Sequence, residues 1–474
     1  MITDNALWRL SVTELGKLLA RGDLTPLDLL ATARHRMEAI NPHINAIIAL
    51  DDHAEEAARD STRRLAAGQP RSALEGIPLT VKDNILVKNI PATWGSRVFA
   101  DFVPAEDELP IARLRAAGAV ILGKTNCPEF TLEGYTDNLL FGVTRNPWQP
   151  ALTPGGSSGG AVAAVAAGIT AAAIGTDGGG SIRRPASHTG LVGFKPSTGR
   201  VARVHSLPQI LLDFEAIGPL CRTVDDAALL YRHMAGPDPR DRKSLWPVDT
   251  PRQAAERLRI LYVPRFGAAP LEPQIEASVD SAARIFSALG HEVEQGELPF
   301  ALDQLNELWP QVGQVGLAYL FERYPQARTL AAPKFIEQAA QGASLPASRY
   351  LTILETLDAF RRQLATVYET LDIIMTPSAA ALPWPAAQAY PPEIDGEPVG
   401  PRGHAVYTAW VNAGGYPGIS LPSAPAESGL PIGFQLVAGF GQDELLLELA
   451  RQYEQAAPWA GRWPELALNA TVKS

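Results

Sequence analysis

The apolar and polar positions of the chain read as two helices over residues 10–40, followed by alternating short strands and helices. Ser11 with Glu14 three residues later has capping-box spacing at the first helix start. Thr25-Pro26 places proline at the first helical position of the second. Ile77–Val81 is an apolar run between Gly76 and the polar triplet Lys82-Asp83-Asn84, and it predicts a strand. Ala119–Leu122 predicts another, after a helix-like run at Ile111–Ala117. Ala161–Ala167 reads as a compact helix of small residues, and Ile260–Val263 and Asp372–Met375 as further strands. This alternation predicts an α/β body around a largely buried sheet. Residues 236–252 are rich in proline and charge, which suits a surface connection. Residues 376–403 carry seven prolines, and a loop of that length is a lid, a pocket wall or a surface excursion.

Composition narrows the class. With 474 residues, 46% of them hydrophobic, the chain has material for a large core. No repeat or low-complexity period is present, and one unit over 1–474 accommodates N-terminal helices (1–70), a core (71–235) and a C-terminal part (236–474). A net charge of −10 without a basic stripe argues against a nucleic-acid partner. The short basic stretch Arg240–Lys243 is interrupted by Asp241 and reads as a solvated loop. Two cysteines, Cys127 and Cys221, make no disulfide framework and suit a reducing compartment. The opening MITDNALWRL lacks a signal pattern, so cytoplasm is the expected location. Asn146–Thr176 has no charged residue, yet its Pro, Gly, Ser and Ala content predicts a buried segment rather than a membrane span.

Three motifs compete for the chemistry. Gly118–Thr125 satisfies the phosphate-loop pattern G-x-x-x-x-G-K-[ST], but its middle positions Ala, Val, Ile and Leu are themselves the predicted strand. A strand cannot also wrap its N–H groups around a phosphate, so nucleotide binding is a remote alternative. Gly155–Gly159 fits the nucleophile elbow G-x-S-x-G around Ser157, which requires a strand before it and a later histidine. Residues 146–154 hold three prolines, and His188, His205, His233, His291 and His404 sit in no motif with a role.

The third reading uses all of the pieces: Ile77-Pro-Leu-Thr-Val-Lys82-Asp-Asn84, Thr153–Gly168 around Ser157, and Gly175-Thr-Asp-Gly-Gly-Gly-Ser181-Ile-Arg-Arg-Pro-Ala186. These runs, 75 and 24 residues apart between Lys82, Ser157 and Ser181, resemble the motifs of the amidase signature family, which includes fatty acid amide hydrolase and the glutamyl-tRNA amidotransferase A subunit. Flanking runs such as Gly193–Pro196, Gly218–Leu220 and Gly418–Pro422 extend the resemblance over essentially the whole chain. It implies an amidase-signature fold, a large mixed central sheet covered by helices on both faces. It also implies an amide hydrolase without metal or other cofactor. Ser181 would be the nucleophile, Ser157 a proton relay held by a cis peptide bond, and Lys82 the base. Gly178, Gly179 and Gly180 would form the oxyanion hole, with Ser158, Thr176, Asp177 and Arg183 supporting the loop. Gly178 departs from the Thr, Ile or Ser usual in relatives, and still supplies a backbone donor.

By family position Thr131, Leu132, Tyr135 and Thr136 should line the acyl pocket, with Trp94, Phe130 and Trp410 as an aromatic wall or as plain core. An apolar pocket suits neutral aliphatic or aryl amides, and the same machinery would cleave anilides, carbamates or esters. The A subunit of the amidotransferase, a glutaminase, is the alternative. The expected partner is a small-molecule amide, with no nucleic acid and no membrane; oligomeric state is not legible.

Overall fold

The computed structural model describes residues 7–246 and 257–469. The first two helices form as their caps direct: Val12–Arg21 and Pro26–Ile44 both begin with reciprocal capping boxes, Ser11 with Glu14 and Thr25 with Asp28. Each such cap contributes about 1 kcal/mol by satisfying N–H groups that the first turn leaves open.

Among the described residues thirteen strands form. They are β1 (Ile47–Leu50), β2 (Pro78–Lys82), β3 (Val120–Thr125), β4 (Ala172–Asp177), β5 (Val192–Lys195), β6 (Ala216–Cys221), β7 (Arg259–Tyr262), β8 (Glu292–Gln295), β9 (Ile373–Pro377), β10 (Glu393–Ile394), β11 (Glu397–Pro398), β12 (Gly418–Pro422) and β13 (Gly433–Ala438). Eleven make one mixed sheet in the order β1-β3-β2-β4-β6-β5-β12-β13-β9-β7-β8, and β10 and β11 form a separate ribbon. The sheet thus draws strands from all three stretches of the sequence. Around the future site, β2 runs parallel to both β3 and β4.

Alternate residues of the strands face opposite layers, as the pleat requires. Ala172 and Ile174 of β4, with Leu79 and Val81 of β2, join a core shared with helix Val224–Met234 and helix Asp443–Ala456. Ala173 points the other way, onto helix Gly159–Ala166. Every residue of that helix is buried, which explains its Gly, Ala and Val composition. A Cβ on its Gly160 would come within 2.4 Å of the Asn126 backbone nitrogen.

Three expectations change shape. The strand expected at Ala119–Leu122 runs on through Gly123-Lys124-Thr125, because these residues continue the pairing with β2. Gly123 serves the pairing on the other edge of β3: a Cβ there would meet the Ala49 carbonyl oxygen of β1 at 2.1 Å. The phosphate-loop pattern is therefore a strand to its last residue. The uncharged run 146–176 divides into a loop, a short helix and β4, and no helix among the described residues is long and apolar enough to cross a membrane. In the connection 236–252, residues 247–252 lie outside the described residues, and the preceding part is a loop in which Arg240 pairs with Asp238.

Candidate active site

Strands β2 and β4 end side by side, and the polar residues that follow their apolar stretches converge there. Sites beyond the carboxyl ends of parallel strands are the rule in open α/β sheets. Lys82, the last residue of β2, is fully buried. Its Nζ lies 2.8 Å from Ser157 Oγ, 2.8 Å from Thr176 Oγ1 and 3.3 Å from the Thr176 carbonyl oxygen. Burial pulls its pKa down to about 8, against the partial opposition of nearby Glu215 and Asp177. Asn84, two residues on, bridges Thr176 Oγ1 and Glu215.

Ser157 follows a cis Gly156–Ser157 peptide bond. Its loop is pressed against residues 135–136. A Cβ on Gly156 would lie 2.5 Å from the Tyr135 carbonyl oxygen, and Thr136 Oγ1 donates to the Gly155 carbonyl at 2.9 Å. Ser158 ties the two serine loops together, donating its N–H to the Ser181 carbonyl (3.2 Å) and its hydroxyl to the Thr176 carbonyl (3.1 Å). Among the described residues no direct hydrogen bond joins the Ser157 and Ser181 hydroxyls.

The loop Gly178–Ser181 is shaped from beneath by Asp177. Its carboxylate accepts from the N–H groups of Gly180 (2.6 Å), Ile182 and Arg183, and from the Arg183 guanidinium at 2.9–3.0 Å. Burial alone would push the Asp177 carboxyl up; the adjoining Arg183 charge outweighs it and holds the group well below the usual carboxylate range. Arg183 in turn donates to Gln435, Asn412 and the Thr408 carbonyl, so the bracing joins three segments distant in sequence: 177–183, 408–412 and Gln435. Gly180 has φ +114°, and a Cβ would fall 2.2 Å from Thr408 Oγ1, which leaves glycine as the residue that fits.

This bracing changes the donor set expected for the oxyanion hole. Gly180 N–H is committed to Asp177 and is not free for a ligand. The N–H groups of Gly178, Gly179 and Ser181 have no acceptor among the described residues, and all three residues line an open cleft of about 800 Å³.

Of the two alternatives open for Trp94, Phe130 and Trp410, wall or plain core, the fold takes core for all three. Thr131 and Leu132 line the cleft, as does Gly134. Tyr135 and Thr136 stand behind, supporting the Ser157 loop. Trp94 and Phe130 are core residues packed edge-to-face, Trp94 bracing Thr131 through Nε1 at 3.2 Å. Trp410 is buried against Phe300 in a separate core cluster. The aromatics on the wall include Trp309, from helix Asp303–Arg323, which nothing in its sequence neighbourhood marks, and Tyr390 of the proline-rich segment. Charged groups, Arg184 and Arg402 among them, also face the cleft, so it is more polar than expected. The proline-rich segment contributes wall through residues 389–390 and 400–405. No histidine is hydrogen-bonded to Ser157 or Ser181 among the described residues, and residues 146–154 form no strand, so the elbow reading lacks both its requirements. No cluster of three or more metal-ligating side chains occurs among the described residues.

Comparison with known proteins agrees with this geometry. The family model described as Amidase matches residues 28–447. The chain is 35% identical to the A subunit of the glutamyl-tRNA(Gln) amidotransferase of Synechococcus sp. (strain CC9605), over 95% of this chain and 97% of that protein. A bacterial aryl acylamidase of the amidase signature family superposes with a TM-score of 0.89 at 28% identity, covering 97% of this chain and 98% of that one. A 6-aminohexanoate cyclic dimer hydrolase does so with a TM-score of 0.86 at 27% identity, covering 97% and 100%. This chain belongs to the amidase signature family, and it is an enzyme that hydrolyses carbon–nitrogen bonds of the amide type.

Proposed function

We propose that the chain is a stand-alone amide hydrolase working through an acyl-enzyme on Ser181, with Ser157 as relay and Lys82 as base. The observation that carries this reading is the 2.8 Å contact between Lys82 Nζ and Ser157 Oγ, buried beneath the loop that presents Ser181 to the cleft. A neutral amine has two N–H donors and one lone pair. The two Thr176 oxygens take the donors, and the Ser157 hydroxyl donates to the lone pair. When Ser181 Oγ turns to Ser157 and attacks the carbonyl, its proton passes to Ser157 Oγ as the Ser157 proton passes to Lys82. The oxyanion is held by the N–H groups of Gly178, Gly179 and Ser181. Collapse breaks the carbon–nitrogen bond, and the proton returns from Lys82 through Ser157 to the leaving nitrogen. Water then repeats the sequence on the acyl-enzyme.

The likeness to the A subunit of the amidotransferase favours a second reading, a glutaminase acting for a partner. The stand-alone reading is supported by the likeness to an aryl acylamidase over nearly the whole chain. Its substrates are then small amides, anilides or carbamates, with no nucleic-acid or membrane partner. Cytoplasm suits the two free, buried cysteines.

A fluorophosphonate should label Ser181, mapped by mass spectrometry between Gly175 and Arg183. Ser181→Ala should abolish labelling, and Ser157→Ala should slow it. An adduct on Ser157 with one indispensable histidine would overturn the triad. Efficient glutaminase activity that depends on a partner protein, with no turnover of anilides or carbamates, would replace the stand-alone reading with the second.

A further inference from the structure

Three residues after Ser181, Arg184 occupies the wall of the cleft. Its backbone N–H bonds the Gly180 carbonyl at 2.9 Å, so Ser181 and Arg184 stand one helical turn apart on the same face. The residue is 8% exposed, and its Nε is buried without any hydrogen-bond acceptor. No ion pair or side-chain hydrogen bond is formed by this guanidinium among the described residues. Buried charges in proteins are ordinarily paired, because removing a cation from water is costly unless an opposite charge or acceptor replaces the water.

The carboxylates nearby do not supply that partner. Asp177 is committed to Arg183. Glu133 pairs with Lys334 at 2.7 Å, and Glu215 pairs with Arg203. Glu337 lies exposed at the rim, in contact with Gln341. A second cation faces the same cleft: Arg402, exposed to solvent, stands 5.0 Å over the Trp309 ring with no acidic partner among the described residues. The rings of His188 and His404 complete this wall from behind, and none of their nitrogens has a hydrogen-bond partner. Burial, reinforced by the charge of Arg184, pulls His188 down to about 3 and His404 well below its ordinary value, so both are neutral.

We infer that Arg184, assisted by Arg402, is an anion subsite of the cleft and that the natural substrate is an amide carrying a carboxylate a short carbon chain from the scissile carbonyl. The inference rests on the proposed attack by Ser181, which places that carbonyl one helical turn from Arg184, and it narrows the substrate class beyond the neutral amides that an apolar pocket would select. The carboxylate completes the pairing that Arg184 lacks and fixes the amide over the Gly178–Gly179 donors. It belongs either to the acyl part, as in a dicarboxylic monoamide, or to the amine part, as in an acylated amino acid.

Paired substrates distinguish these sources. Succinanilic acid against butyranilide tests the acyl side, and 4-butyramidobenzoate against butyranilide tests the amine side. At least one acid should exceed its neutral analogue in kcat/KM by about ten- to a hundredfold. Arg184→Gln should erase that ratio, Arg184→Lys should retain part of it, and Arg402→Gln should lower it less. Neutral preference in both pairs, or an unchanged ratio in Arg184→Gln, would overturn the inference while leaving the amidase reading intact. Calorimetric titration with succinate and with 4-aminobenzoate scores the subsite without turnover. Binding of one of them, lost in Arg184→Gln at an unchanged Tm, is expected. Absence of binding by both, or equal affinity in the variant, counts against the subsite even if Ser181 is labelled normally. Conversely, binding at Arg184 with no label on Ser181 would sink the proposed mechanism and not the subsite.

Discussion

Lys82 and Lys124 end neighbouring parallel strands, β2 and β3, with Val81 opposite Lys124 and Lys82 opposite Thr125. Both are completely buried, and burial lowers the pKa of both. Their partners separate them. Lys124 Nζ donates to two backbone carbonyls, Asp83 at 2.9 Å and Ile85 at 2.7 Å, which pin the chain leaving β2. Carbonyl oxygens only accept, so Lys124 has no proton to receive from them. Lys82 Nζ meets a hydroxyl, which both donates and accepts, and that hydroxyl belongs to the loop tied to Ser181. A depressed pKa therefore does not mark a base by itself; a proton-carrying neighbour leading to a cleft does.

The strongest challenge to this contrast is Lys82→Ala. It should reduce kcat/KM on the order of a thousandfold or more, with circular dichroism and Tm preserved. Turnover near the parent level would remove Lys82 from the mechanism and erase its difference from Lys124.

Gly180→Ala should come next, with about a hundredfold loss. Its Cβ would collide with Thr408 Oγ1 and displace the neighbouring N–H groups of Gly178, Gly179 and Ser181 that face the cleft. Kinetics unchanged in a folded variant would show that the loop's path does not matter.

The pH profile sharpens the comparison further. In the proposed mechanism Lys82 acts as a neutral amine, so kcat/KM should rise through about pH 8 and fall roughly tenfold per unit well below it. Lys124→Met should leave that profile in place, because its ammonium takes no part in proton transfer. A profile flat between pH 6 and 9 would contradict a neutral lysine base.

The smallest effect expected on catalysis is that of Lys124→Met itself. Leaving two buried carbonyls without their donor should lower stability by about 1–3 kcal/mol in urea titration. Turnover per folded molecule should stay within about threefold of the parent. ATP should give no calorimetric signal with either protein, since Gly118–Thr125 is a turn and a strand. Loss of turnover in folded Lys124→Met would break the distinction drawn here.

Much of this contrast is local chemistry, and local chemistry is legible in a chain. The capping boxes at Ser11 and Thr25, the apolar strands and the small-residue helix all depend on neighbours within a few residues. The order and spacing of the Lys82, Ser157 and Ser181 motifs, with the glycines beside them, already picked out the family. The rejection of the phosphate loop likewise followed from four apolar residues that had to be strand.

Other features depend on segments that the sequence separates by a hundred residues or more. Trp94, Phe130 and Trp410 are apolar enough for wall or core, and only packing against Phe321, Phe335 and Phe300 decides for core. Trp309 reaches the cleft because its helix crosses over the Gly178–Gly179 loop, where a Cβ on Gly179 would lie 2.9 Å from the indole. Gly180 looked like an oxyanion donor until Asp177 was seen to hold its N–H. Along the chain Arg184 is simply the second of two arginines after Ser181; its lack of a partner exists only once Asp177, Glu133 and Glu215 have found theirs. Backbone preference and side-chain type act over a few bonds and are written along the chain. Burial, pairing and access are properties of surfaces brought together by the fold, and no single segment contains them.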